Sequence, residues 1–258
     1  MTTKEFYTDK FDESKRMSNG DNRHRVELYR KRFLYSMIIN QYKPKTILQI
    51  ACGTGIHTEW LCETFSDIEV TATDLLPEHI AKIKDYKNLA HKFAWDCNTE
   101  IPNELLGNKY DLVLVEGAWY HTEDRIQLVR NIKALAGGIV VIDWLSAWHD
   151  ATQRLLQDKK MPNNWKCPRP AEPFVFETES SLNKLLDVFQ PPKYKVQLFP
   201  VDLDTRFGYK DLNEVDDEQF IKFIDRMNWN IGLYDANQSF IMNATEHGCY
   251  VISVYNTL

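Results

Sequence analysis

Apolar side chains recur along the chain in short β-rich runs, Thr46–Ala51, Ile68–Thr73, Ala90–Trp95, Tyr110–Val115 and Gly138–Trp144. Several of these runs are apolar almost without interruption, as strands covered on both faces must be. Helical spacing separates them. Ile56, Trp60, Leu61 and Phe65 share one helical face, and Leu128, Val129, Ile132, Leu135 and Ala136 share another. The second pattern opens on Thr122-Glu123-Asp124, acids suited to a helix start, and Gly137-Gly138 is its expected stop. Strand and helix in alternation predict β-α-β units and a parallel sheet.

Beyond Trp144 the rhythm changes. A helical stretch near Ala147–Gln157 leads into Lys160–Phe174, where Pro162, Pro168, Pro170 and Pro173 exclude a regular element. Leu182, Leu185, Leu186 and Phe189 mark a helix ended by Pro191-Pro192, and Tyr194–Val201 alternates like a strand. Asp216-Asp217-Glu218 starts a further helix with Phe220, Phe223, Ile224 and Met227 on one face. Cys249–Tyr255 closes the pattern as a last strand. The whole predicts an α/β fold, a doubly wound, mostly parallel sheet of seven strands finished by an antiparallel edge hairpin.

Composition narrows the class of partner. With 258 residues, 43% of them hydrophobic, the chain can bury a core as one domain (1–258) without disulfides or a structural metal. A net charge of −6 gives no general attraction to phosphate backbones or anionic membranes, so neither nucleic acid nor membrane is an expected partner. The apolar run Ile139–Ile142 is far short of the ~20 residues that span a bilayer, and Met1–Glu5 opens polar, without a signal-peptide core. Five cysteines (Cys52, Cys62, Cys97, Cys167, Cys249) contain no C-x-x-C pair, which suits reduced thiols in a cytoplasm. Histidine and cysteine have no metal-ligand spacing, and no metal is expected. The aromatic load of 12% has a pattern: Trp95, Trp119, Trp144 and Trp148 fall at or just beyond the ends of predicted strands. With Trp165 they predict a walled, water-excluding pocket.

The segment Ile47-Leu48-Gln49-Ile50-Ala51-Cys52-Gly53-Thr54-Gly55 runs from the first strand straight into a helix. Two glycines there permit a tight turn and let a ligand approach the backbone, at the position where doubly wound sheets bind nucleotides. Asp74 closes the second strand about 20 residues later, where a carboxylate accepts ribose hydroxyls or, alternatively, caps the next turn. Asp96, after the third strand, is placed to accept from a purine amino group or to cap a following helix.

Strand-x-x-Gly-x-Gly, an acid after strand two and an acid after strand three together resemble the class I, Rossmann-like S-adenosylmethionine-dependent methyltransferases. The likeness runs from about Thr46 to Trp144. Gln49 stands where the family usually has an acid, and Ala51 where it usually has glycine. Nicotinamide-binding folds want a third glycine at position 58, which is Thr58. The resemblance implies S-adenosyl-L-methionine as cofactor and S-adenosyl-L-homocysteine as product. It implies cofactor contacts from Gln49 and from the backbone at Ala51, Gly53 and Gly55, with Asp74 and Leu75 at the ribose. Asp96 and Cys97 fall to the adenine and Glu116 to the sulfonium. It further implies an N-terminal segment (1–45) serving as a lid. Tyr7 there is the candidate ring beside the sulfonium and Arg16 the candidate partner of the donor's carboxylate, unless the segment is a solvated arm. The cofactor-binding core is then 46–144, and the substrate-binding insertions are 145–177 and 203–248.

Methyl transfer from a sulfonium is an in-line displacement that needs alignment and a deprotonated acceptor. A base is expected after strand four or five. His121, in Glu116-Gly117-Ala118-Trp119-Tyr120-His121, is best placed unless it is a packing residue, and His149 is second. Tyr120 would orient the acceptor. Trp119, Trp144, His149, Arg169 and Arg206 would line its pocket, the arginines favouring an anionic or phosphorylated molecule. The expected activity is methylation of a small polar acceptor, at oxygen rather than nitrogen, by a monomer or homodimer. The Lys/Asn/Ile-rich composition resembles bacterial tailoring enzymes, such as those of surface (capsular) polysaccharide. An RNA or protein methyltransferase is the first rival, although Glu116-Gly117-Ala118-Trp119 is not an Asn-Pro-Pro-Tyr-like signature. A non-catalytic Rossmann-like binding protein is the second, kept in view by Gln49.

Overall fold

The computed structural model describes residues 22–146, 176–177, 186, 194–198 and 249–257. In chain order the elements are α1 (Asn22–Tyr42), β1 (Thr46–Ile50), α2 (Ile56–Thr64), β2 (Glu69–Asp74), α3 (Pro77–Ile80), β3 (Leu89–Ala94) and β4 (Tyr110–Val115). These are followed by α4 (Arg125–Leu135), β5 (Ala136–Ser146), β6 (Phe176–Glu177), β7 (Tyr194–Leu198) and β8 (Cys249–Asn256).

The strands form one sheet in the order β3-β2-β1-β4-β5-β8-β7, with β6 paired to β5 off this path. Strands β1 to β5 run parallel, and β8 lies antiparallel between β5 and β7. Among the described residues the sheet therefore has eight strands where the apolar runs predict seven. The addition is a two-residue pairing of Phe176 and Glu177 with Leu145 and Ser146, too short to leave a periodic signature. Because β2 and β3 are laid on one side of β1 and β4 and β5 on the other, the order reverses between β1 and β4. That is the switch point at which such sheets open a crevice beyond their strand ends.

Alternate residues of each strand serve opposite faces of the sheet. Val113 and Val115 of β4, with Leu48, Ile50, Val140 and Ile142, pack against Leu128, Ile132 and Leu135 of α4. Leu112 and Leu114, with Ile47, Val70, Ile139 and Val141, pack against Leu34, Tyr35, Ile38 and Ile39 of α1 and Leu61 and Cys62 of α2. Helices on both faces explain why these strands read as continuous apolar runs.

Two local expectations change. Helix α4 is capped by Asp124, whose side chain accepts from the Gln127 N–H, as the acidic start predicts. It ends at Leu135, however, and β5 begins at once, so Gly137 and Gly138 are strand residues rather than a helix stop. Their smallness serves close approach. A Cβ on Gly138 would lie 2.5 Å from the Asp111 carbonyl oxygen, where β5 takes up an extra residue against β4. Between β3 and β4 no helix follows Asp96, and the chain crosses by turns that bury Leu105. Among the described residues, no helix is long and apolar enough to cross a membrane.

Candidate functional site

At the end of β1 the chain reverses through three left-handed residues, Ala51 (φ 60°), Gly53 (φ 57°) and Gly55 (φ 86°). Alanine tolerates that region at a cost of about 1–2 kcal/mol, which is why glycine is usual where Ala51 stands. The turn is tied down by Cys52 N–H to the Thr73 carbonyl (2.9 Å) and Gly55 N–H to the Cys52 carbonyl (3.1 Å). Gly55 caps α2, and a Cβ there would come within 2.5 Å of Ile83 Cγ1. Ile83 is itself buried and cannot swing aside. A Gly55→Ala variant should therefore lose roughly 2–4 kcal/mol of stability, from backbone strain plus overpacking, read as a lower urea midpoint. A midpoint unchanged from wild type would mean that the turn relaxes freely.

Asp74, at the end of β2, reaches across to this turn. Its Oδ2 accepts the Gly53 N–H at 2.9 Å, and its Oδ1 accepts the Leu76 N–H and faces His79 Nδ1, both at 3.0 Å. The carboxylate thus orients the glycine turn and opens α3 at once, with Leu75 half-buried beside it. Trp95 N–H bonds the Asp74 carbonyl at 2.8 Å and brings the end of β3 alongside. Asp96 then forms a side-chain turn, Oδ1 accepting from both the backbone N–H (2.9 Å) and side-chain amide (2.8 Å) of Asn98. Cys97 follows, its thiol pushed up to about 12 by burial and by the charge of Asp96.

Glu116 leaves β4 with its N–H on the Ile50 carbonyl (3.0 Å), so the ends of β1 and β4 are joined. Its buried carboxylate faces His57 Nδ1 at 2.8 Å through Oε1 and accepts the Gln49 amide through Oε2. Burial alone would raise its pKa. The charge and hydrogen bond of His57, with Lys31 and the Tyr35 hydroxyl, outweigh burial and hold Glu116 down to about 2. Gln49 is fully buried and its carbonyl accepts from the Thr58 hydroxyl at 2.6 Å. A carboxylate at position 49 would oppose Glu116 at hydrogen-bond range, and like charges so close cannot both ionise cheaply. The amide replaces that repulsion with a donor to Glu116. Both ends of the Gln49 amide are hydrogen-bonded inside the protein.

The loop after β4 carries the candidate catalytic pair. Tyr120 and His121 are buried, their ring centroids 4.5 Å apart and tilted by 54°. His121 N–H (3.0 Å) and the Thr122 hydroxyl (2.6 Å) both bond the Ala118 carbonyl. Trp119 is 0% exposed and belongs, with Trp95, to the core beneath α4. Among the described residues both rings pack into this cluster, as residues at a strand end can turn either to the core or to the crevice. Trp144 sits in β5 opposite Val251. Tyr7, Arg16, Trp148, His149, Trp165, Arg169 and Arg206 lie outside the described residues.

Four side chains that the sequence did not single out complete the site: Lys31, Tyr35, His57 and Asp143. The Lys31 ammonium meets Asp143 Oδ2 at 2.7 Å, and the Tyr35 and His57 rings meet edge to face at 5.6 Å. His57 Nε2 is buried with no hydrogen-bond partner among the described residues. The only signals in the sequence are an aspartate inside the apolar run Gly138–Trp144 and a histidine two residues past Gly55. Among the described residues no three side chains form a group able to hold a metal ion.

Residues 48–137 match the profile of a family described as a methyltransferase domain. Malonyl-[acyl-carrier protein] O-methyltransferase of Anoxybacillus flavithermus (strain DSM 21510 / WK1) is 37% identical over 73 residues, which are 28% of this chain and 27% of that protein. The protein of the same name from Bacillus cytotoxicus is 27% identical over 143 residues, 52% of this chain and 50% of that one. The chain thus spans about half, or less, of the length of these curated relatives. Among solved structures, plantazolicin methyltransferase BpumL, in complex with a pentazolic desmethylPZN analog and SAH, has a TM-score of 0.55 at 17% identity. That likeness covers 98% of this chain and 94% of BpumL. Magnesium protoporphyrin IX methyltransferase (ChlM) from Synechocystis PCC 6803, with bound SAH, has a TM-score of 0.51 at 12% identity, covering 91% and 83%. At such identities these two likenesses speak for the fold, and it is the same fold that the strand order describes. Family match and topology agree over β1 to α4, where residues 48–137 are similar to a methyltransferase domain and the strand order is that of the class I, Rossmann-like fold.

Proposed function

We propose that this protein transfers a methyl group from S-adenosylmethionine to an oxygen of a small polar acceptor. One observation carries the reading: a left-handed glycine turn lies at the switch point, oriented by the carboxylate that ends β2. The donor, when bound, supplies a sulfonium-activated methyl group. The chain supplies everything else. Backbone at Ala51, Gly53 and Gly55 gives a surface free of side chains longer than methyl. An ionised carboxylate offers about four acceptor sites, so Asp74 can add ribose hydroxyls to the bonds it already makes. Leu75 packs beside the ribose, while Asp96 and Cys97 take the adenine. Glu116 keeps a negative charge fixed near the sulfonium, and Tyr7 and Arg16 close over the donor.

His121 takes the acceptor's proton and Tyr120 orients the acceptor. The names of the curated relatives favour O-methylation of a molecule bearing a carboxylate, and Arg169 and Arg206 suit such an anion or a phosphate. A surface-polysaccharide precursor is one acceptor of that kind. The enzyme works in the cytoplasm as a monomer or homodimer, without metal. Gln49, satisfied between Thr58 and Glu116, gives no reason to prefer a binding protein without catalysis.

Calorimetry with S-adenosylhomocysteine tests the donor assignment. Saturable binding is expected, and no heat at millimolar ligand would overturn it. His57 adds a sharper expectation, because its Nε2 is buried without a hydrogen-bond partner among the described residues and can serve the donor's amino-acid end. His57→Gln should cost about 1.5 kcal/mol, roughly tenfold, in affinity for S-adenosylhomocysteine. Affinity for 5′-methylthioadenosine, which lacks the amino acid, should not change. Equal losses for both ligands would mean that His57 only supports the fold.

A further inference from the structure

Lys31 occupies an unusual place on α1. It falls on the same helical face as Leu34, Tyr35 and Ile38, which are core residues, and is only 8% exposed. An apolar side chain would fill such a position without the cost of burying a charge. The ammonium instead meets Asp143 of β5 at 2.7 Å, and Asp143 is 1% exposed. The other oxygen of Asp143 accepts the Gly117 N–H at 2.6 Å.

Gly117 is the hinge of the loop that follows β4. Its φ is 69°, and a Cβ there would come within 3.3 Å of the Tyr120 hydroxyl. At the next residue, the Ala118 carbonyl gathers His121 N–H and the Thr122 hydroxyl into one tight turn. A continuous chain of polar contacts therefore runs from α1 through β5 to the loop bearing Tyr120 and His121.

We propose that Lys31 is a positioning residue for this loop: it holds Asp143 as an anion, and Asp143 fixes the loop through Gly117. The consequence for methyl transfer rests on the function proposed above, whereas the geometric role does not. The charge balance at Asp143 supports it. Burial pushes the carboxyl up from its ordinary value, and Glu116 pushes it the same way. Lys31, by charge and hydrogen bond, and the Gly117 N–H oppose them. Among the described residues, Tyr35 from α1 also interacts with Asp143. Among these, Lys31 is the cation.

The test is the Gly117 amide resonance of the full chain, followed by ¹H–¹⁵N NMR against pH without ligand. In Lys31→Met the carboxyl loses its cation, so the Gly117 shift should titrate with a midpoint about 1–3 units above wild type. Lys31→Arg should restore the wild-type profile, and Asp143→Asn should move the resonance upfield and abolish the titration. A Lys31→Met profile that matches wild type would overturn the proposal. Should that variant fail to fold, the neutral pair Lys31→Met/Asp143→Asn carries the comparison. Its amides at 118–122 should exchange at least ~10-fold faster while those of Val70 and Ala72 stay protected, and unchanged protection of the loop would overturn the proposal. Wild-type titration with S-adenosylhomocysteine separates the two readings: absent binding defeats the donor assignment and leaves the Lys31 result standing.

Discussion

Replacing Asp74 by alanine should weaken S-adenosylhomocysteine binding by at least ~100-fold, the loss expected for two charge-assisted hydrogen bonds worth about 1.5 kcal/mol or more each. Two routes lead there. The direct one removes the carboxylate that would accept the ribose hydroxyls. The indirect one releases the Gly53 N–H, now held at 2.9 Å, so that the glycine turn loses the anchor giving it its left-handed shape. Asparagine repairs the defect only in part, because each carboxylate oxygen accepts a backbone N–H, from Gly53 and from Leu76, and an amide sets its nitrogen against one of them. The comparison with His57→Gln is informative. Losing Asp74 should weaken 5′-methylthioadenosine as much as S-adenosylhomocysteine, since both carry the ribose. Losing His57 should spare the former. Calorimetry of both ligands on both variants, with thermal melts to verify folding, decides the matter. Unchanged affinity in folded Asp74→Ala would remove Asp74 from the site.

The strands and the glycine turn were legible because their signals are local. A strand covered on both faces must be apolar at nearly every position, and β4 and the Ile139–Ile142 run of β5 obey this. The turn needs left-handed residues within one short segment, and glycine advertises them. What stayed hidden depends on partners distant in sequence. Gln49 reads as a missing acid until Glu116, 67 residues away, is seen to need a donor. Lys31 reads as a surface lysine until Asp143, 112 residues away, is found beneath it. Trp95 and Trp119 were not placed by the sequence, for a different reason. Position at a strand end fixes height along the sheet but not the face, and both rings turned into the core. Gly137-Gly138 has two physical uses, ending a helix or admitting a neighbouring strand, and only tertiary packing selects between them. The sequence carries Asp96 in the same way: a side-chain turn and a helix cap look alike until the next residues are placed.

Glu116→Gln should destabilise the fold by about 3 kcal/mol at neutral pH, and the deficit should shrink as the solution is acidified. The wild-type carboxyl titrates at about 2 in the folded chain against an ordinary 4.5, chiefly because His57 and Lys31 outweigh its burial. A carboxyl lowered on folding contributes stability that is complete above the unfolded value and lost as pH falls towards the folded one. Its worth therefore drops from about 3 kcal/mol at pH 7 to about 1 kcal/mol near pH 3. Asp143 works in the opposite sense, since its folded pKa is raised and protonation favours the folded chain. The Gln variant lacks the Glu116 contribution and retains that of Asp143. The amide cannot serve both neighbours: its oxygen can accept from His57 or from Gln49, and its nitrogen then faces the other donor. Urea unfolding of wild type and variant at pH 7, 5 and 3 gives the deficit at each point. A deficit that stays constant with pH would mean that the carboxylate's shape matters and its charge does not. The same variant tests the coupling to the donor site. If Glu116 acts by holding His57 in place, then Glu116→Gln and His57→Gln should be non-additive in S-adenosylhomocysteine affinity, the double variant losing little more than either single one. Additive losses would separate the two residues and return Glu116 to a purely structural role.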